Sequence, residues 1–211
     1  MIAIVDYGIG NLASIRNIIQ HVGGEADVTG DKEIIEAASG VVIPGVGSFD
    51  ACVTALRRSG LLSVIERQAF VSQVPILGIC VGMQMMAISS EEGNEPGLGW
   101  FDARVQRLTP GGSLKVPHMG WGAISAREDS ILLGSADPNQ RFYFAHSYHM
   151  VCGQESDIDA LARYGDPFTA AIAKDNLFGV QFHPEKSHQH GMRLFENYLR
   201  IIAVHQAGTA R

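Results

Sequence analysis

In the first half of the chain, apolar residues form short continuous runs separated by stretches of helical spacing. Ile2 to Asp6 is such a run, closed by YGIGN. Leu12, Ile15, Ile18, Ile19 and Val22 then recur at helical intervals up to Gly23-Gly24. The pattern next predicts a weaker strand at Ala26 to Thr29 and an apolar strand in GVVIPGVGSFD, broken by its Pro-Gly pair. Two helical stretches follow to about Ser72, then a strand in VPILGIC. Strands that are apolar throughout and alternate with amphipathic helices predict a parallel sheet covered on both faces, because the crossover helices lie there.

Beyond about Gly93 the pattern changes. RVQRL, ILL, RFYFAHSYHMV and FTAAIAKDNLFGVQFHP read as shorter strands with hairpin turns such as Lys174-Asp175-Asn176, so the second half is expected to be mixed or antiparallel. A last helix from His190 to about Val204 turns Met192, Leu194, Phe195, Tyr198 and Ile201 inward, and residues 205–211 read as a frayed tail. No compositional break divides the chain. Residues 1–204 are therefore expected to form one α/β domain: a central mixed, largely parallel sheet flanked by helices, with an antiparallel extension.

Charge and cysteine content narrow the function classes. A net charge of −6 argues against a nucleic-acid surface, and Arg57-Arg58 reads as a solvated helix pair. MIAIVDYGIG has no basic region before its apolar residues, and no stretch reaches the roughly 18 apolar residues of a membrane span, so no export or insertion signal is read. Cys52, Cys80 and Cys152 are odd in number and lack CxxC spacing, which fits a reducing compartment, the cytoplasm by default.

The candidate chemistry centres on PILGICVGMQ. Gly78-x-Cys80-x-Gly82 between a buried strand and a helix has the form of a nucleophile elbow, in which small flanking residues let the chain reverse and push the nucleophile outward. A helix opening at Val81 directs its free N–H groups at the thiol, favours the thiolate, and makes the Val81 N–H an oxyanion donor. Cys52, within DACVTALRR, reads instead as a small packed hydrophobe. A nucleophilic cysteine needs a base, and FGVQFHPEKS offers His183 with Glu185 two residues on. In extended chain that spacing puts both side chains on one face, so Glu185 can orient the imidazole while its other nitrogen takes the thiol proton. A metal cluster of His183, Glu185, His188 and His190 is disfavoured because nothing fixes that spacing on one element; neither a metal nor a cofactor is called for.

GICVGMQ and QFHPE, in this order and about a hundred residues apart, resemble the class-I, triad-type glutamine amidotransferases, whose glutaminase domain carries a G-x-C-x-G-x-Q elbow and a distant H-P-E. The resemblance implies a flavodoxin-like fold. It extends to IPGVGSFD, where the family places a glycine-rich oxyanion strand, so Val46 and Gly47 are expected to offer backbone N–H groups opposite Val81. Within the family, VDYGIGNLASI, PGVGSF, Met83 in GMQ, VPHMGWG and HPEKS resemble the glutaminase subunits of imidazole glycerol phosphate synthases. One departure is Gly122, where those subunits more often carry asparagine.

The resemblance implies that Cys80 attacks the carboxamide of glutamine, giving a γ-glutamyl thioester and ammonia, after which water frees glutamate. Gln84 and Glu92 match positions that hold the substrate's polar ends, with Glu91 the alternative to Glu92. His146, Ser147 and Tyr148 match the strand that reads the α-carboxylate. Asn11, Trp121, Tyr143 and Lys186 match the docking face for a (β/α)8 barrel cyclase, forming a heterodimer across which ammonia passes shielded from water. Rival readings are a dinucleotide oxidoreductase from GIGNLA, for which Asp27 and Asp31 are loose acidic candidates; a non-catalytic docking scaffold; and a stand-alone γ-glutamyl hydrolase or another pathway's glutaminase.

Overall fold

The computed structural model describes residues 1–134 and 139–209. The first half of the chain supplies β1 (Ile2–Val5), β2 (Ala26–Thr29), β3 (Gly40–Gly45) and β4 (Ile76–Cys80), paired in parallel. Between them run α1 (Leu12–His21), α2 (Lys32–Glu36), α3 (Phe49–Ser59) and α4 (Leu62–Phe70). After β4 comes α5 (Val81–Gln84), a single turn. The second half supplies β5 (Ser89–Ser90), β6 (Ala103–Arg107), β7 (His118–Ala126) and β8 (Arg141–His146). It continues with β9 (Tyr148–Cys152), β10 (Ile158–Tyr164), β11 (Asp166–Lys174) and β12 (Leu177–Val180), and ends in α6 (His188–Thr209).

Among the described residues, nine strands lie in the order β2-β1-β3-β4-β12-β11-β10-β7-β8, and β5, β6 and β9 form a small second sheet. The seam is β12, parallel to β4 on one side and antiparallel to β11 on the other. From β1 the chain steps one way to β2, and from β3 it steps the other way to β4. Right-handed crossovers made in opposite directions put their helices on opposite faces, and the packing follows: α1 lies against α6, while α4 lies against α2 and α3. The core strands are buried on both sides, with Ile4, Val42, Leu77 and Phe178 inaccessible or nearly so. The Tyr198 hydroxyl of α6 reaches the carbonyls of Val41 at 2.9 Å and Pro75 at 2.7 Å, tying the last helix to the centre of the sheet.

Several local expectations change. The strand at 40–45 is not broken by its Pro-Gly pair: Pro44 and Gly45 continue the ladder opposite Ile79 and Cys80, and the proline is tolerated because pairing with β1 has already ended at Val42. ILL is a turn, residues 131–133, whose Leu132 and Leu133 are buried without strand pairing. RFYFAHSYHMV is two strands in different sheets, separated at Ser147. Strands β7 and β10 lie outside the apolar pattern, the first being glycine-rich and the second, IDALARY, alternating only weakly. Of the tail expected at 205–211, residues 205–209 are instead helical and 210–211 lie outside the described residues, and the helix starts at His188 rather than His190.

Candidate active site

The carboxyl ends of β3, β4 and β12 converge on one cleft of about 360 Å³. In open α/β sheets, this is where binding crevices form. Cys80 ends β4 with φ 55° and ψ −112°, a conformation that L-residues rarely adopt, and its side chain is nearly buried yet lines the cleft. The flanking glycines make that turn possible. A Cβ at Gly78 would stand 2.8 Å from the Gly82 carbonyl oxygen, and one at Gly82 would collide with the Ile43 carbonyl. The helix that opens at Val81 is a single buried turn, so its dipole is small and what it offers the cleft is the N–H groups of that turn.

His183 leaves β12 in extended conformation and pairs with Tyr143, its N–H donating to the Tyr143 carbonyl at 2.8 Å. Residues Pro184–Lys186 form a 3-10 turn rather than the extended chain expected, and it is this turn that folds Glu185 back onto the imidazole. Nδ1 of His183 lies 2.9 Å from Oε1 of Glu185, and both side chains are buried. Cys80 and His183 line the same cleft. Burial alone lowers the histidine, but the hydrogen bonds and charges of Cys80 and Glu185 outweigh it and push the imidazolium up to about 10. Ser187 braces the turn: its hydroxyl donates to the His183 carbonyl at 2.6 Å and accepts from the Tyr143 N–H at 3.0 Å.

Val46, Gly47, Val81, Gln84 and Glu92 line the same cleft, and His146, Ser147 and Tyr148 form part of its wall. Between the two acidic candidates, Glu92 lines the cleft. Its Oε2 accepts from the Phe49 N–H at 2.7 Å, at the start of α3, whereas Glu91 caps the backbone of Arg107 at 2.8 Å. The guanidinium of Arg107 sits over the Tyr148 ring and donates to its hydroxyl at 3.2 Å, so that tyrosine is fixed. His146 Nδ1 lies 2.8 Å from the Tyr148 carbonyl, an acceptor, so this nitrogen carries the proton. Burial, which outweighs that hydrogen bond, pushes His146 down to about 3, leaving it neutral.

Three of the four expected docking residues cluster. Trp121, about half exposed, stacks on His188 with centroids 5.5 Å apart and meets the Tyr143 ring edge-on, and the Lys186 ammonium lies over Tyr143. Lys186 also lines the cleft, so this surface adjoins its mouth. Asn11 stands at the N-cap of α1 without a side-chain capping bond. At Gly122 a Cβ would come to 3.0 Å from the Phe144 ring, so this packing favours glycine there. Cys52 is fully buried, donates to the Val46 carbonyl at 3.3 Å, and is pushed up to about 11 by burial, in keeping with a packed thiol. Among the described residues, no group of three or more His, Cys, Asp or Glu could hold a metal ion.

Sequence reasoning passes over Gln181, which lies beside Cys80, and His118, whose Nδ1 is 3.2 Å from Nε2 of His146. The signals open to it are a polar residue two positions before His183 in an otherwise apolar strand, and a histidine in VPHMGWG.

Residues 3–202 match the family model for class-I glutamine amidotransferases. An imidazole glycerol phosphate synthase subunit HisH 2 from Pseudomonas aeruginosa is 46% identical over 96% of this chain and 100% of its own length. The protein of the same description from Methanococcus maripaludis is 43% identical over 95% and 99%. Among solved structures, a putative GMP synthase subunit from Thermoplasma acidophilum superposes with a TM-score of 0.75 over 100% of this chain and 97% of its own, at 20% identity. PurLQS from Thermotoga maritima gives 0.75 over 95% and 98%, at 17% identity, and these two matches bear on the fold alone.

Proposed function

The chain belongs to the class-I glutamine amidotransferase family, and from that membership we propose that it is the glutaminase subunit of an imidazole glycerol phosphate synthase, supplying ammonia for histidine biosynthesis. The observation that carries the reading is the single cleft in which Cys80 faces the buried His183–Glu185 pair. A dinucleotide site at GIGNLA would leave that arrangement without a task.

In this reading the Cys80 thiol passes its proton to His183 as the sulfur attacks the carboxamide carbon of glutamine, and negative charge develops on the carbonyl oxygen. The N–H of Val81 and the backbone N–H groups at Val46 and Gly47 stabilise that charge. His183, oriented by Glu185, gives its proton to the leaving nitrogen, the C–N bond breaks, and ammonia departs from a γ-glutamyl thioester. The imidazole then takes a proton from water, whose oxygen attacks the thioester; as the C–S bond breaks the imidazolium returns that proton to the sulfur, glutamate leaves and the thiol is restored. Glu92 and the His146–Tyr148 wall hold the polar end of glutamine. The pair is buried and hydrogen-bonded, so little reorganisation is needed as charge moves.

Ammonia released into water would be protonated and lost as a nucleophile. A (β/α)8 barrel cyclase seated over Trp121, Tyr143, Lys186 and Asn11 would cover the mouth of the cleft and receive it, in a cytoplasmic heterodimer. Support comes from the aromatic cluster beside the cleft and from Lys186, which belongs to both. The test is to supply amide-15N glutamine to this chain, a cyclase and its ribonucleotide in excess unlabelled ammonium. Undiluted label in the cyclised product is expected; label diluted to the level of bulk ammonium would refute shielded transfer.

A further inference from the structure

We propose that Gln181 is a positioning residue for the Cys80 nucleophile, its carboxamide clamped by Gln84 so that its N–H points at the sulfur. The placement follows from the sheet. Strand β12 runs parallel to β4 with Val180 opposite Ile79, so the next residues, Gln181 and Cys80, are neighbours. Gln181 also lies two residues before His183, which gives both the same facing, while Phe182 between them turns away to stack on Phe142.

The orientation of the amide is fixed by elimination. The Tyr148 carbonyl can only accept, so the Gln84 atom 3.0 Å from it is the nitrogen. The same nitrogen lies 2.9 Å from the Gln181 side chain, where it meets the oxygen. That leaves Nε2 of Gln181 as the atom 3.7 Å from Cys80 Sγ, within reach of a sulfur acceptor. The Tyr148 carbonyl is held in turn by His146 Nδ1–H, and His146 Nε2 by His118 Nδ1–H. A continuous hydrogen-bonded network thus links His118 on β7 to the nucleophile, with the Tyr148 carbonyl accepting from both His146 and Gln84. Both Nε2 hydrogens of Gln84 are committed to this clamp, so Gln84 meets substrate only as an acceptor, through Oε1.

Gln181 is completely buried, where an amide without partners is costly, and its two ends are partnered by Gln84 and Cys80. Its bonded donor gives the sulfur a fixed polar partner in the cleft wall. This inference rests on Cys80 being the nucleophile of the proposed glutaminase.

The experiment is iodoacetamide alkylation of Cys80 at pH 7, located by peptide mass, in Gln181→Glu and Gln181→Met, with kcat and KM for glutamine measured in the cyclase complex. Glutamate keeps the acceptor for Gln84 but offers no amide N–H to the sulfur; methionine keeps the volume. Alkylation and kcat are both expected to fall about tenfold while KM changes less than about twofold. Rates within about twofold of the unmodified chain in either folded variant would overturn the proposal, as would failure of both variants to fold, which would assign the residue to the fold alone. If the unmodified chain releases no glutamate with the cyclase, the functional reading fails, yet the alkylation comparison still decides the role of Gln181.

Discussion

Cys80 holds the backbone at φ 55° and ψ −112° for the sake of where its sulfur goes. Such a conformation costs roughly 1–3 kcal/mol for a residue with a Cβ and little for glycine. Cys80→Gly is therefore expected to exceed Cys80→Ala in stability by at least about 1 kcal/mol in urea denaturation, although both lack the sulfur and both should be inactive. Equal stabilities would show that the elbow is unstrained. His183 carries a pH signature. Its folded-state value of about 10 lies above the ordinary 6.5, so the folded chain holds this proton more tightly, and the resulting stability is complete below pH 6.5 and lost as pH rises towards 10. The stability advantage of the parent over His183→Gln, followed by urea denaturation from pH 6 to 10, should be flat at first and then shrink. An advantage that grows with pH would contradict the paired imidazolium. At this scale Cys80, His183 and Glu185 are legible in the sequence because a nucleophile, a base and an orienting acid leave a spaced motif. Gln181 leaves a weaker signal, a lone amide two positions before His183 in an apolar run, which no spaced motif ties to Cys80.

Among the elements, the elbow depends on contacts that no side chain can enter. Gly82 packs against the Ile43 carbonyl of β3, and Gly78 against the turn that Gly82 belongs to. Gly82→Ala should cost about 3 kcal/mol, because the obstacle is backbone and cannot rotate aside. Thermal denaturation measures this, and an unchanged midpoint would mean that α5 can shift freely. The continuous apolar runs of β1, β3, β4 and β12 make the parallel core readable, since burial on both faces leaves no alternation to misread. The antiparallel half is harder. HMGWGAISA pairs through its backbone while its glycines hide any strand propensity, and ILL is buried by a turn, which apolarity alone cannot distinguish from a strand. The split at Ser147, which sends β8 and β9 to different sheets, is set by tertiary packing and has no local signal.

For the whole molecule, the mouth of the cleft and the Trp121–Tyr143–Lys186 cluster share one surface. Trp121→Ala should raise the cyclase concentration needed for half-maximal glutaminase activity about tenfold, as loss of a partly exposed aromatic anchor does, while leaving Cys80 alkylation in the isolated chain unchanged. The most direct measurement of the central claim is glutamate release from glutamine by this chain with and without a cyclase and its ribonucleotide, with Cys80→Ala as control. The account predicts little release alone, strong stimulation by the partner, and none from the variant. Glutamate release by Cys80→Ala, or a parent chain that the cyclase leaves unstimulated, would contradict it.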